Sequence, residues 1–165
     1  MLLLDTNHCS GIIGGEQGVI VELERCSDGD VCTSFITEAE MYFAAYRSDK
    51  FAENLFAIES FLKDINIYTC DDKVSKAYGE LKSKILSHFG PKEKKKRRRY
   101  TLQKAGISEN DLWIAAVAIA NDMTILSCDS DFKRIQEVQP NLHVTSWIKP
   151  KVQISDEKVV SDVQP

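Results

Sequence analysis

The chain has little of what usually announces chemistry. Three histidines, His8, His88 and His143, lie far apart and fit no H-E-x-x-H pattern, which excludes a zincin-type site. Five cysteines (Cys9, Cys26, Cys32, Cys70, Cys128) are an odd, scattered set without a C-x-x-C pair. That pattern excludes a zinc ribbon, argues against a disulfide framework and fits a reducing cytoplasm. Neither a P-loop nor a G-x-G-x-x-G stretch is present, so no glycine-rich loop cradles a phosphate. Long apolar runs are missing too. Met1-Leu2-Leu3-Leu4 stops at Asp5, too short for a signal peptide. The longest run, Leu112 to Ala120, is under half of the roughly 20 residues that a membrane helix needs. Carboxylates are what remain for catalysis.

What is present suits one ordinary domain: 165 residues, 43% hydrophobic and 28% charged, enough to fill a core. The formal net charge of −4 conceals an uneven distribution. Lys92 to Arg99 reads KEKKKRRR, seven cations and one anion, so the rest of the chain sets 14 cations against 24 anions, a net of −10. An acidic body carries one concentrated basic segment.

Short apolar runs alternate with helical periodicity. Strands are predicted at Leu2 to Leu4, Val31 to Phe35, Ile65 to Tyr68, Thr124 to Ser127 and Leu142 to Val144. Helices are predicted after Asp5, over Glu16 to Cys26, Glu38 to Tyr46, Phe51 to Lys63, Asp71 to about His88, from Ser108, and over Asp131 to Val138. Gly90-Pro91 ends the long helix, and the basic run to Lys104 reads as a solvated segment. This alternation implies βαβ units: a three-layer α/β/α sandwich around a central parallel sheet. The domain spans 1–147 with a basic inserted segment at 92–104, and 148–165 reads as a C-terminal tail. Leu112 to Ala120, apolar on every face, reads as a helix buried against the sheet, with Trp113 and Trp147 as packing residues.

Four acids stand out: Asp5, Glu40, Asp111 and Asp129. Each has a purely structural alternative. Asp5 and Asp129 can cap the helices that follow them, and Thr37-x-x-Glu40 and Ser108-x-x-Asp111 have capping-box spacing. Topology changes the joint weight. With right-handed crossovers, strand C-termini and helix N-termini share one edge, the edge where open α/β sheets place ligands. All four acids point there, and no Lys or Arg lies within three residues of any of them. Converging carboxylates repel unless a cation joins them, and hard oxygen ligands select Mg²⁺, or Mn²⁺, over zinc.

The stretches around these acids are Leu-Leu-Asp5-Thr6-Asn7, Ser34-Phe-Ile-Thr37-Glu-Ala-Glu40-Met, Asn110-Asp111-Leu-Trp-Ile-Ala-Ala and Leu126-Ser127-Cys-Asp129-Ser-Asp131-Phe132. In that order they resemble the successive motifs of PIN-domain ribonucleases, most closely the VapC-type toxins of toxin–antitoxin pairs, over about residues 1–147. The resemblance places the family's metal-binding acids on Asp5, Glu40, Asp111 and Asp129, with Thr6, Asn7 and Ser127 in support. Glu38 and Asp131 are alternative acids beside two of these positions; Glu40 fits the Ala-Glu-Met register better. The resemblance further implies Mg²⁺-dependent hydrolysis of RNA, a homodimer, and a cognate antitoxin covering the acidic cleft. Ala44 stands where the family usually has Gly, the basic segment is longer than usual, and the tail is extra.

Lys94, Lys95, Lys96, Arg97, Arg98 and Arg99 have two readings: a solvated loop, or cations that hold RNA phosphates beside the site, with the Tyr100 ring available for stacking. Three rival functions are weighed. One is a PIN nuclease that processes RNA without an antitoxin. Another is a signalling receiver domain, which needs a Lys directly after a late strand that neither Tyr68 nor Ser127 is followed by. The last is a non-catalytic RNA-binding module, disfavoured by the intact acids.

Overall fold

The computed structural model describes residues 1–148, so the expected tail, Ile148 apart, lies outside the described residues. Strands β1 (Leu2–Leu4), β2 (Val31–Ser34), β3 (Asn66–Tyr68), β4 (Thr124–Leu126) and β5 (Val144–Thr145) form one sheet in the order β3-β2-β1-β4-β5. Every pairing is parallel. Helices α1 (Thr6–Ile13), α2 (Gln17–Leu23), α3 (Phe35–Tyr46), α4 (Phe51–Lys63), α5 (Asp72–His88), α6 (Lys94–Arg97), α7 (Glu109–Ala120) and α8 (Asp131–Val138) connect them. The expected parallel α/β/α sandwich is borne out.

The two-residue period of the strands builds two cores. Leu3, paired in register with Cys32 and Ile125, faces the layer of α5, α7 and α8, where Val74, Leu81, Ile85, Ile114 and Phe132 are buried. Leu4, paired with Leu126, faces the opposite layer, against Cys9, Met41, Ile58 and Leu62. Helix α7 is buried from Leu112 to Ala118 apart from Trp113, as its all-round apolar sequence predicts. Trp113 lies half-buried, stacked on Tyr78 at 3.7 Å between centroids.

The structure corrects several expectations. The last strand is shifted to Val144–Thr145, because Ile125 and Ser127 donate to the His143 and Thr145 carbonyls. Residues 92–104 are not a solvated segment throughout. Lys94–Arg97 forms a helical turn, Gln103–Ala105 a 3₁₀ turn, and Leu102 and Ala105 enter the core with Ile107. Glu40 lies in the second turn of α3, not the first: Ser34 is the cap, its Oγ accepting from the Thr37 amide at 3.1 Å. Thr37 therefore does not cap Glu40.

Strand order decides where a ligand can enter. The chain runs from β1 outward through β2 and β3, then returns to the other side of β1 for β4 and β5. The crossovers diverge at the carboxyl ends of β1 and β4, which opens a crevice at that point. Asp5 follows β1 and Ser127 follows β4, so both line it.

Candidate active site

Asp5 is a helix cap and a site residue at once. Its Oδ1 accepts from the Thr6 amide at 2.7 Å, and its Oδ2 accepts from the Ser127 hydroxyl at 2.6 Å. Ser127 Oγ in turn accepts from the Asp129 amide at 3.0 Å, which ties the turn after β4 to the turn after β1. Asp129 Oδ1 accepts from the Asp131 amide at 2.9 Å, shaping the entry to α8. Asp131 Oδ2 then accepts from the Ser108 amide at 2.9 Å. Ser108 caps α7, accepting from the Asp111 amide at 3.0 Å while its hydroxyl donates to Asp111 Oδ2 at 2.6 Å. Asp131 thus takes the place that a reciprocal capping box would give to the third helical residue.

Glu40 reaches the same edge from α3. One oxygen accepts from the Thr6 hydroxyl, and Oε1 accepts from Asn110 Nδ2 at 2.6 Å. Five acids are therefore joined through Thr6, Ser108, Asn110 and Ser127, and no cation pairs with any of the five among the described residues.

One carboxylate oxygen from each of Asp111, Asp129 and Asp131 comes within 4.8 Å of the others, a spacing a single cation can bridge. Asp131, the alternative acid of the sequence, is thus in the cluster. Asp5 stands close enough to act on Asp111 electrostatically, and Glu40 acts on Asp5. Burial pushes the Asp5 carboxyl above its usual range; the Ser127 and Thr6 donors pull it back, and the charges of Glu40 and Asp129 push it up again. Asp111 is driven to about 7, first by burial and then by Asp129, Asp5 and Asp131, against the pull of the Ser108 hydroxyl. With three other acids acting on it, Asp111 resists ionisation, and a bound cation would relieve that repulsion. The donor set, carboxylates alone, fits Mg²⁺ or Mn²⁺.

Asn7, expected in support, is exposed, and its side chain makes no hydrogen bond among the described residues. Asn110, quoted in a motif but given no role, donates to Glu40 from the position directly before Asp111, and Ser108, noted for its capping-box spacing, holds Asp111. His8 is fully buried one turn after Asp5. Its Nε2 accepts from the Trp147 amide at 3.1 Å, and the Trp147 ring packs edge-on against it at 6.1 Å. Burial pushes the His8 imidazole below its usual range, keeping it neutral. Trp147 is the packing residue expected, and His8 is the group that anchors it. The two buried thiols are structural: burial pushes Cys9 up to about 12 and Cys32 up to about 11; none of the five cysteines forms a disulfide.

Comparison with known proteins agrees with the motif reading. The PIN-domain family model matches residues 2–138, and the chain belongs to that family. Ribonuclease VapC2 of Haemophilus influenzae is 29% identical over 134 residues, 81% of this chain and 90% of its own length. Ribonuclease VapC2 of Rickettsia felis is 29% identical over 152 residues, 89% of this chain and 98% of its own. Among solved structures, the VapBC2 complex of Rickettsia felis bound to a DNA fragment from its promoter matches with a TM-score of 0.70 at 27% identity, covering 89% of this chain and 98% of that one. The resemblance to VapC-type proteins is borne out. No helix among the described residues is long and apolar enough to cross a membrane.

Proposed function

We propose that the protein is a divalent-metal-dependent endoribonuclease, the toxin of a toxin–antitoxin pair, that hydrolyses RNA phosphodiester bonds at the crevice between β1 and β4. The observation that carries this reading is the cation-free network of Asp5, Glu40, Asp111, Asp129 and Asp131 at that point. Asp5, Asp111 and Asp129 would hold Mg²⁺ or Mn²⁺, with Glu40 completing the set and Asp131 sharing the cluster. When bound, the metal supplies an activated water, orients the phosphate and stabilises charge on the leaving oxygen. The chain's own groups do the rest. Ser127 and the Thr6 amide fix the Asp5 carboxylate in one orientation, and Ser108 does so for Asp111. Thr6 and Asn110 hold Glu40 toward the crevice.

The VapC relatives are named ribonucleases, and one from Shigella flexneri, 26% identical over 89 residues, is named a tRNA(fMet)-specific endonuclease. Their names support RNA as the substrate class here. The VapBC complex from Rickettsia felis supports an antitoxin partner. The exposed aromatics Phe43, Tyr46, Phe51 and Phe56 on α3 and α4, with Tyr46 stacked on Phe51, are consistent with such a partner. A homodimer is part of the same reading.

The direct test is incubation of purified protein with total RNA in Mg²⁺ or Mn²⁺, followed by mapping of the new ends. Discrete cleavage that EDTA abolishes is expected; cleavage undiminished in excess EDTA overturns the reading. Asn110 gives a finer check. Asn110→Ala releases one Glu40 oxygen, and removal of such a supporting partner costs about 10–100-fold in metal affinity or activity. The expected result is a raised Mn²⁺ concentration for half-maximal cleavage with the fold intact by circular dichroism. An unchanged metal titration would remove Asn110, and Glu40 with it, from the site.

A further inference from the structure

The basic segment is anchored at both ends, while its charged residues Lys92 to Arg99 stay exposed. A Cβ at Gly90 would fall 2.2 Å from the Leu86 carbonyl oxygen and 3.4 Å from Arg97 Cγ, so only glycine lets the chain fold back along α5. Leu102, Ala105 and Ile107 pin its other end in the core. Between these anchors a groove of about 470 Å³ runs along α5, lined by Gly79, Lys82, Ser83, Leu86, Ser87 and the cations Lys94, Arg97 and Arg98. A second hollow of about 300 Å³ continues it through the shared Lys82 and Leu86 to Tyr100, Gln103 and Glu109. Glu109 begins α7, and the next two residues are Asn110 and Asp111 of the site. The negative charge at this junction is covered, since Lys82 Nζ meets Glu109 Oε1 at 2.6 Å. Lys94, Arg97 and Arg98 have no carboxylate partner among the described residues, whereas Lys96 is paired with Glu93 at 2.8 Å.

We propose that this α5 groove is a track for the single-stranded RNA flanking the scissile bond, with Lys94, Arg97 and Arg98 holding its phosphates and Tyr100 offering a ring to a base. Charge placement favours this occupant: outside the basic run the chain carries a net −10, which repels a polyanion elsewhere. A cationic groove combined with a half-buried aromatic is the arrangement that grips single strands without reading sequence. The assignment rests on the RNA-hydrolysis reading for where the track leads, but the groove can be tested by binding alone.

Two triple variants remove equal charge from different places. K94S/R97S/R98S strips the groove, and K95S/K96S/R99S strips cations of the same run that do not line it. Affinity for a fluorescein-labelled 20-nucleotide oligouridine is measured against salt in EDTA, where no cleavage interferes. Each phosphate contact contributes about 0.7 to the salt slope for single strands, so the groove variant is expected to lose about two units of slope. The outer variant should stay near the parent, and R97K/R98K, which keeps the charge, should retain the slope. Equal losses in both triple variants, or in neither, overturn the track; equal losses on duplex DNA of the same length overturn its single-strand character. Failure of the parent to cleave RNA in Mn²⁺ would instead defeat the nuclease reading and leave these binding outcomes to be judged on their own.

Discussion

Asp111→Asn and Asp5→Asn are each expected to lower RNA cleavage by about a thousandfold or more while the fold persists. Each substitution keeps the shape of the side chain and most of its hydrogen bonds. At position 111 the oxygen of the new carboxamide would still accept from the Ser108 hydroxyl. At position 5 it could still accept from the Thr6 amide or from Ser127. What each loses is a negative charge in a buried place where several acids already crowd together. Acids that jointly hold a cation act as a unit, so the two changes together should cost little more than either alone. The measurement is single-turnover cleavage of a labelled RNA in Mg²⁺ and in Mn²⁺, with circular dichroism confirming the fold. Cleavage within about tenfold of the parent in either variant would sink the assignment of these two acids.

The Asp111 substitution should also make the metal-free protein more stable at neutral pH. Asp111 titrates near 7 in the folded chain and at 3.8 when exposed. Below 3.8 the group is protonated in both states and costs nothing. As pH rises from there toward about 7, the unfolded chain loses its proton while the folded one keeps it, so stability falls through this window and then levels off. Asp111→Asn removes this contribution. Its advantage over the parent should grow across the window to about 1–2 kcal/mol once solvent screening is allowed for, or about 2–8 °C in Tm. Melting in EDTA at several pH values measures it. Added Mn²⁺ should narrow the gap by stabilising the parent more than the variant. A difference between the two proteins that does not change with pH would refute the buried, proton-holding role of Asp111.

Which parts of this could be read from sequence follows from how far apart the determining residues are. Leu2-Leu3-Leu4 and Thr124-Ile-Leu declare strands locally, and the Asp after the first run declares a helix start, so the layers and the shared edge were legible. Asp5, Asp111 and Asp129 were legible because each lies at or near the end of a local element, whereas Glu40, mid-way along α3, rested on the motif. The bonds that organise them were not. Ser127 to Asp5 spans 122 residues and Asn110 to Glu40 spans 70, and no local periodicity encodes such pairs. Glu40 was matched correctly to the edge but given the wrong local setting, since Ser34, at the very end of β2, outcompetes Thr37 as the cap. The docking of the basic run was hidden for a similar reason. Its charges read as solvated and are exposed, but Gly90 and Leu102, small signals on either side, are what anchor its ends.

The hydrogen bond between Ser127 and Asp5 also sets a condition on synthesis. β1 lies far along the chain from the strand that pairs beside it to form the crevice, Thr124–Leu126. Closing that contact costs loop entropy across most of the chain, which makes it a late event. A nascent chain that stops short of β4 therefore has no assembled cleft. The crevice is completed only when the turn after β4 meets β1. On the proposed function, the chain is thereby unable to cleave RNA until the turn after β4 has been made.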